Sequence, residues 1–178
     1  HAHAMARQRG GVSPEIEDDT PAGAAARVAL GKQAYDLNVQ QYCAAGLNFG
    51  YYYDRSPIIV YDGEEAPSYT MSTFTASTVP GCRAPHVWLA DGTSLYDRCG
   101  EGFALVRQDR AATVDPLLSA AATRGIPVSL IDVGRAELPP AYRHALVMIR
   151  PDQHVAWRGD ALPPDAADLI DKLTGRTR

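Results

Sequence analysis

Three cysteines, five histidines and a run of three tyrosines are the residues of this chain with the most chemistry to offer. Cys43, Cys82 and Cys99 are widely spaced and odd in number, with no CxxC and no paired Cys/His spacing. Neither a zinc site nor a disulfide framework is indicated, and buried or half-buried free thiols in a reducing cytoplasm are expected. His86, in Arg83-Ala84-Pro85-His86, has the chemistry of a general base but no serine or cysteine nucleophile in a recognisable motif nearby. A ring oriented by a backbone carbonyl is expected instead. Arg83 sits in the tight frame Gly81, Cys82 and Pro85, where a guanidinium can clamp a loop by bridging carbonyls or a carboxylate. His144 and His154, at strand ends, read as surface or edge residues. Alternation along an extended chain puts Tyr51 and Tyr53 on one face and Tyr52 on the other, as packing residues more than pocket walls. Asp91 and Asp97 read as turn and cap residues, and Trp157, alternating with Val155, as a cover for the core on one sheet face. There is no GxGxxG after a strand, no Walker loop and no HExxH.

The elements that must hold these residues are legible in the pattern around them. The chain has 178 residues, 46% hydrophobic and 21% charged, with a net charge of −4. That is the composition of one globular domain with an arm, and it excludes a basic nucleic-acid face. No apolar run approaches the ~20 residues of a membrane span, and no signal-peptide pattern is present. Residues 1–20 read as a cloning remnant, from His1 to Met5, followed by a polar linker. Residues 21–101 read as a helical arm and a β-rich linker. Thr20 with Pro21 starts the arm's helix, Val28, Tyr35, Val39 and Tyr42 form one apolar stripe, and Gly46 is expected to stop it. Between Phe49 and Tyr61 two short strand-like segments flank a turn, and Val87–Leu95 reads as a hairpin around Asp91-Gly92.

Residues 102–178 alternate most clearly. Strands are expected at Phe103–Val106, Val128–Val133, Ala145–Ile149 and His154–Trp157, with helices at Ala111–Arg124 and Pro164–Leu173. The fold class is α/β, and the order β-α-β-β-β-α is that of a thioredoxin-like unit, with the first two strands parallel and the last two an antiparallel hairpin. The apolar strands suit a sheet covered on both faces by helices. Thiol-redox chemistry is disfavoured, because the helix start after the first strand reads Gln108-Asp109-Arg110-Ala111, with no cysteine at the positive end of the helix dipole.

From Leu37 to about Gly159 the chain resembles the C-terminal region of the FAD-dependent aromatic-ring hydroxylases of the para-hydroxybenzoate and phenol hydroxylase type. The resemblance is carried by Gly46-Leu47-Asn48-Phe49-Gly50-Tyr51, Ser56-Pro57, Pro80-Gly81-Cys82-Arg83-Ala84-Pro85-His86, Asp91 to Asp97, Gly102-Phe103, and Ile149 to Arg158. It implies a parent enzyme that uses FAD and NAD(P)H, bound by N-terminal regions whose fingerprints this sequence lacks. It implies no cofactor and no catalytic residue in this fragment, and a tail that packs on the flavin-binding and substrate-binding parts or forms a homodimer. Gly81, Arg83, Pro85, His86, Asp97 and Trp157 are then structural motif residues. A start inside a polar linker is what a cloned piece of a cytoplasmic enzyme would show. The alternatives are a standalone thioredoxin-like protein with a thiol-redox role, or a small-molecule binder using the tyrosine-rich linker.

Overall fold

The structure, a computed structural model, describes residues 2–176; His1 of the leader and residues 177–178 at the end of the C-terminal unit lie outside the described residues. The first element, α1 (Ala2–Gly10), occupies ground where only a leader and linker are expected. Its Ala, Met, Arg and Gln are strong helix formers with no β-branched residue among them. Next comes α2 (Pro21–Tyr42), where the Thr20 hydroxyl accepts the Gly23 amide at 3.0 Å, the cap its position predicts. The helix ends at Cys43, so Gly46 is not its stop. Gly46 instead lies buried inside a short helix, α3 (Ala45–Phe49), where a Cβ would sit 2.0 Å from the Thr70 carbonyl oxygen.

Most of the apolar stripe of α2 stays in solvent: Val28 is 74% exposed, Tyr35 68% and Tyr42 80%, with Val39 half-buried. Regular structure resumes with α4 (Leu95–Cys99), then β1 (Phe103–Arg107), α5 (Asp115–Thr123), β2 (Val128–Asp132), β3 (Leu146–Ile149), β4 (Val155–Gly159) and α6 (Ala166–Leu173). From β1 onward these boundaries sit within a few residues of the expected ones, whereas α4 forms where no helix is expected. The sheet order is β2-β1-β3-β4, with β1 and β2 parallel and the other pairs antiparallel. A helical crossover makes the parallel pair, and the turn 150–154 makes the hairpin.

Alternation in β1 divides the core in two. Leu105 joins Leu146 and Met148 beneath α5 and α6, which contribute Leu117, Ala121, Leu169, Ile170 and Leu173. Arg124 ties the two helices together, donating to both carboxylate oxygens of Asp171 at 2.6 and 2.8 Å. Ala104, Val106, Val147 and Ile149 point the other way. No long helix meets them there, contrary to the expectation of helices on both faces. Ala84, Leu89, Leu95, Cys99 and Tyr142 cover that face, so the segment leading into β1 is one wall of the core.

The linker also differs from its expected strands. Tyr52 and Cys82 meet only at an isolated bridge, as do Trp88 and Ser94 around the Asp91-Gly92 turn. The outer edge of β4 is nevertheless occupied, by single hydrogen bonds from the Val60 amide to Ala156 at 2.8 Å and from the Gly81 amide to Val155 at 2.8 Å. Pro57 and Pro80 lack the amide hydrogens that a continuous ladder needs, so pairing is confined to a few residues at a time.

A buried cation fastens this strap. The Arg158 side chain, 1% exposed, donates to Asp62 at 2.7 Å, to Glu64 at 2.5 Å and to the Thr78 hydroxyl at 3.3 Å. Burial works against the Asp62 carboxylate, but the Arg158 and Glu64 hydrogen bonds outweigh it and hold the group below its ordinary range. Glu64 is lowered first by its bond from Arg143 and then by Arg158. Trp157 is buried on the α5/α6 side, whereas Val155 joins the opposite cluster. A register shift at Met148/Ile149 breaks the alternation that would have placed them together.

Candidate functional site

The segment from Pro80 to Cys99 gathers the side chains with the most chemistry, and backbone geometry sets their positions. Gly81 has φ +99°, and a Cβ there would lie 2.1 Å from the Tyr53 carbonyl oxygen. Only glycine fits that crossing. It lets the Gly81 carbonyl accept the Tyr53 amide while its own amide reaches β4. Pro85 is buried, and its carbonyl accepts the Tyr142 hydroxyl at 2.8 Å.

Arg83 does not bridge carbonyls or a carboxylate. Its Nη2 donates to the Gln153 side-chain oxygen at 2.5 Å, and its guanidinium lies 5.2 Å from the Phe49 ring centroid and 5.7 Å from that of Tyr96. Its buried Nε has no hydrogen-bond partner. The Tyr96 hydroxyl donates to the Ala84 carbonyl, and burial pushes its pKa up, with partial opposition from Arg83.

His86 is exposed, and its ring meets a hydroxyl, not the expected backbone carbonyl: Nε2 and Ser94 Oγ lie 2.9 Å apart. Ser94 is the N-cap of α4 and accepts the Tyr96 amide at 3.1 Å. Serine was missed because the two residues are eight apart and meet only when the Asp91-Gly92 turn folds back. Among the described residues no carboxylate holds the other ring nitrogen, so the pair lacks the third member of a nucleophile–base–acid arrangement. Asp97 is an exposed residue in the first turn of α4; the capping side chain is that of Ser94. Asp91 is the turn residue, accepting from the Thr93 amide at 3.1 Å and the Thr93 hydroxyl at 2.7 Å.

His154 corrects the edge assignment most sharply, being 1% exposed. Its ring sits 5.0 Å from that of Tyr51 and 4.8 Å from that of Tyr53, with Nδ1 3.0 Å from the Asp152 carbonyl oxygen. Tyr51 and Tyr53 do share a face, and Tyr52 packs elsewhere, against Tyr69. Burial pushes the His154 pKa down, against the upward pull of Asp152. Cys82 and Cys99 are buried and their thiols are pushed up by burial, Cys99 to about 11, while Cys43 is exposed and not buried as expected.

Among the described residues no cluster of His, Cys, Asp or Glu could hold a metal ion, and no helix is long and apolar enough to cross a membrane. The connection from β1 to α5, residues 108–114, contains no glycine, and Asp115 stands in the first turn of the helix. A pyrophosphate requires close backbone approach and a helix start free of competing negative charge, so these residues do not fit FAD.

A mixed α/β unit with a four-stranded mixed sheet, covered by helices on one face and by loops on the other, is the class that the fold defines. Residues 77–176 match the family model described as aromatic-ring hydroxylase, C-terminal. The chain belongs to that family. It is 28% identical to phenol 2-monooxygenase of Pseudomonas sp. (strain EST1001), over 89% of this chain and 29% of that protein. Its identity to 2,4-dichlorophenol 6-monooxygenase of Cupriavidus pinatubonensis is 35%, covering 74% of this chain and 25% of that protein. The structure of RebC with bound 7-carboxy-K252c superposes with a TM-score of 0.81 at 33% identity, covering 99% of this chain and 34% of the other. The flavin-dependent monooxygenase PieE in complex with FAD and substrate gives a TM-score of 0.62 at 28% identity, covering 90% of this chain and 30% of the other. The chain thus spans about a third or less of the relatives it matches.

Proposed function

We propose that this chain is the C-terminal packing and dimerisation region of an FAD- and NAD(P)H-dependent monooxygenase that hydroxylates phenolic rings, and that the region itself is not catalytic. The observation that carries the reading is the match of residues 77–176 to the C-terminal family, in a chain whose crossover loop does not fit FAD. Names of relatives such as phenol 2-monooxygenase and the FAD-dependent monooxygenase apdD of Emericella nidulans support flavin and aromatic substrate in the parent.

The sheet order β2-β1-β3-β4 with a β1-α5-β2 crossover supports a thioredoxin-like assignment for residues 102–178, and residues 21–101 then serve as arm and strap. Against a thiol-redox role stand the two buried, upward-shifted thiols and the absence of cysteine at the start of α5. Gly81, Arg83, Pro85, His86, Asp97 and Trp157 act structurally in this reading, fixing the wall before β1 and the strand that it faces. The exposed stripe on α2 is the surface offered to the remaining parent domains or to a second copy, and a cytoplasmic setting suits three unpaired thiols.

The purified chain is expected to be colourless and to leave the visible spectrum of titrated FAD unchanged; a tight yellow complex overturns the non-catalytic reading. Light scattering is expected to give twice the chain mass at high concentration, and a strict monomer removes dimerisation from the proposal.

A further inference from the structure

On the wall before β1 lies a hollow of about 410 Å³, within the size range of small-molecule sites. Phe49, Phe74, Arg83, Pro85, His86 and Tyr96 line it. Its chemistry is unusual for a surface depression. Phe49 and Phe74 stand 5.8 Å apart and are partly exposed, so aromatic surface is left open to an incoming flat group. Between Phe49 and Tyr96 lies the Arg83 guanidinium, permanently charged, with Gln153 as its hydrogen-bonding partner and a buried Nε–H that donates to nothing. His86 adds a ring edge, 5.2 Å from Tyr96 and 5.0 Å from Trp88 at the rim.

We propose that this hollow is a binding site for a planar aryl carboxylate, whose rings stack on the phenylalanine faces and whose carboxylate pairs with Arg83. Arg83 is the one permanent charge among the residues lining the hollow, and none of them is a carboxylate, so an anionic group on the ligand is its complement. The open aromatic surface calls for a flat apolar body. Charge complementarity is local: the chain carries a net charge of −4, and this one cation is set among apolar walls where solvent screens it less. The ligand shares nothing with the crossover loop or the thiols, so the site stands independently of the role proposed for the tail.

The probe is 2-naphthoate, titrated into the whole 178-residue chain, with 2-naphthalenemethanol as its neutral counterpart. Trp88 at the rim is the optical reporter, and the Trp88→Phe variant isolates its signal from that of buried Trp157. Saturable binding is expected, about tenfold or more weaker for the alcohol and for Arg83→Gln, the loss of one charged pairing. Ala76, exposed and lining the same hollow, provides a variant that leaves the core alone: Ala76→Trp is expected to abolish binding with the melting temperature unchanged. Equal affinity for acid and alcohol, or binding that survives Ala76→Trp, overturns the proposal. So does the absence of a saturable response. A dimer that Ala76→Trp dissolves, with no response to naphthoate, overturns it in favour of a second copy of the chain seated in the hollow.

Discussion

The helical arm and the sheet unit both carry periodic apolar residues but are stabilised in opposite ways. Every residue of β3 is buried, and Leu105 at the centre of β1 is fully enclosed by partners from four elements. In α2 Val28, Tyr35 and Tyr42 face water, and the start of the helix is fastened by its cap and by Arg27, which donates to the Ile16 and Asp18 carbonyls at 2.8 and 2.9 Å. A stripe that packs on nothing adds no burial to propensity and capping, which by themselves contribute little. Periodicity alone therefore does not tell whether a stripe has found its partner. In the unit it has, and in the arm it has not.

The sharpest way to break this contrast is to truncate one residue on each side. Leu105→Ala should cost about 2–5 kcal/mol, because it leaves a cavity between the sheet and α5. Tyr35→Ala should stay within about 0.5 kcal/mol, as for other exposed positions. Urea denaturation of both variants measures the difference, and equal costs would show that the arm packs on something in solution.

A smaller effect tests the wall before β1. Gly81→Ala should cost about 1–3 kcal/mol, since it combines a positive φ with a collision against the Tyr53 carbonyl. Gly63→Ala, at φ +86° in open space, isolates the dihedral component and should cost less. If the two cost the same, the crossing of the two backbones is not what demands glycine.

The smallest effect is electrostatic. Burial lowers the folded pKa of His154, so the unfolded chain takes up the proton first as pH falls below about 6.5. Its contribution is complete above that value and is lost on acidification through the folded pKa. Denaturation curves between about pH 7 and pH 5 should show stability falling in the wild type and nearly flat in His154→Phe. Asp62 and Glu64 act lower: their stabilisation is present above about pH 4 and disappears as pH falls through their depressed folded values. A wild-type profile that rises on acidification between pH 7 and pH 5 would contradict the burial of His154.

Much of the sheet unit was legible because its signals are local. Gly125 and Gly175 after the two helices, the apolar runs of β2 and β3, and Asp165 at the cap of α6 each act within a few residues. Thr20 at the start of α2 belongs with them. The site was less legible, since its geometry joins distant segments. His154 looked like an edge residue because β4 borders the sheet; Tyr51 and Tyr53, about a hundred positions earlier, cover it. The partners of Arg83 come from α3, α4 and the β3–β4 turn, and no spacing rule links them. Trp157 was assigned to the core correctly and to a face shared with Val155 incorrectly, because a bulge leaves no mark in a strand's composition.

Element type and strand count of the sheet unit, and the family of this chain, were set by its sequence, because hydrophobic period, caps and turn residues act over short distances. The tertiary structure alone decided that the second sheet face is walled by the segment before β1, that the outer edge of β4 is strapped by residues 60–82, and that Arg83 faces an aromatic hollow. Each of these depends on which distant surfaces meet when burial is satisfied, and that is a property of the packed molecule as a whole.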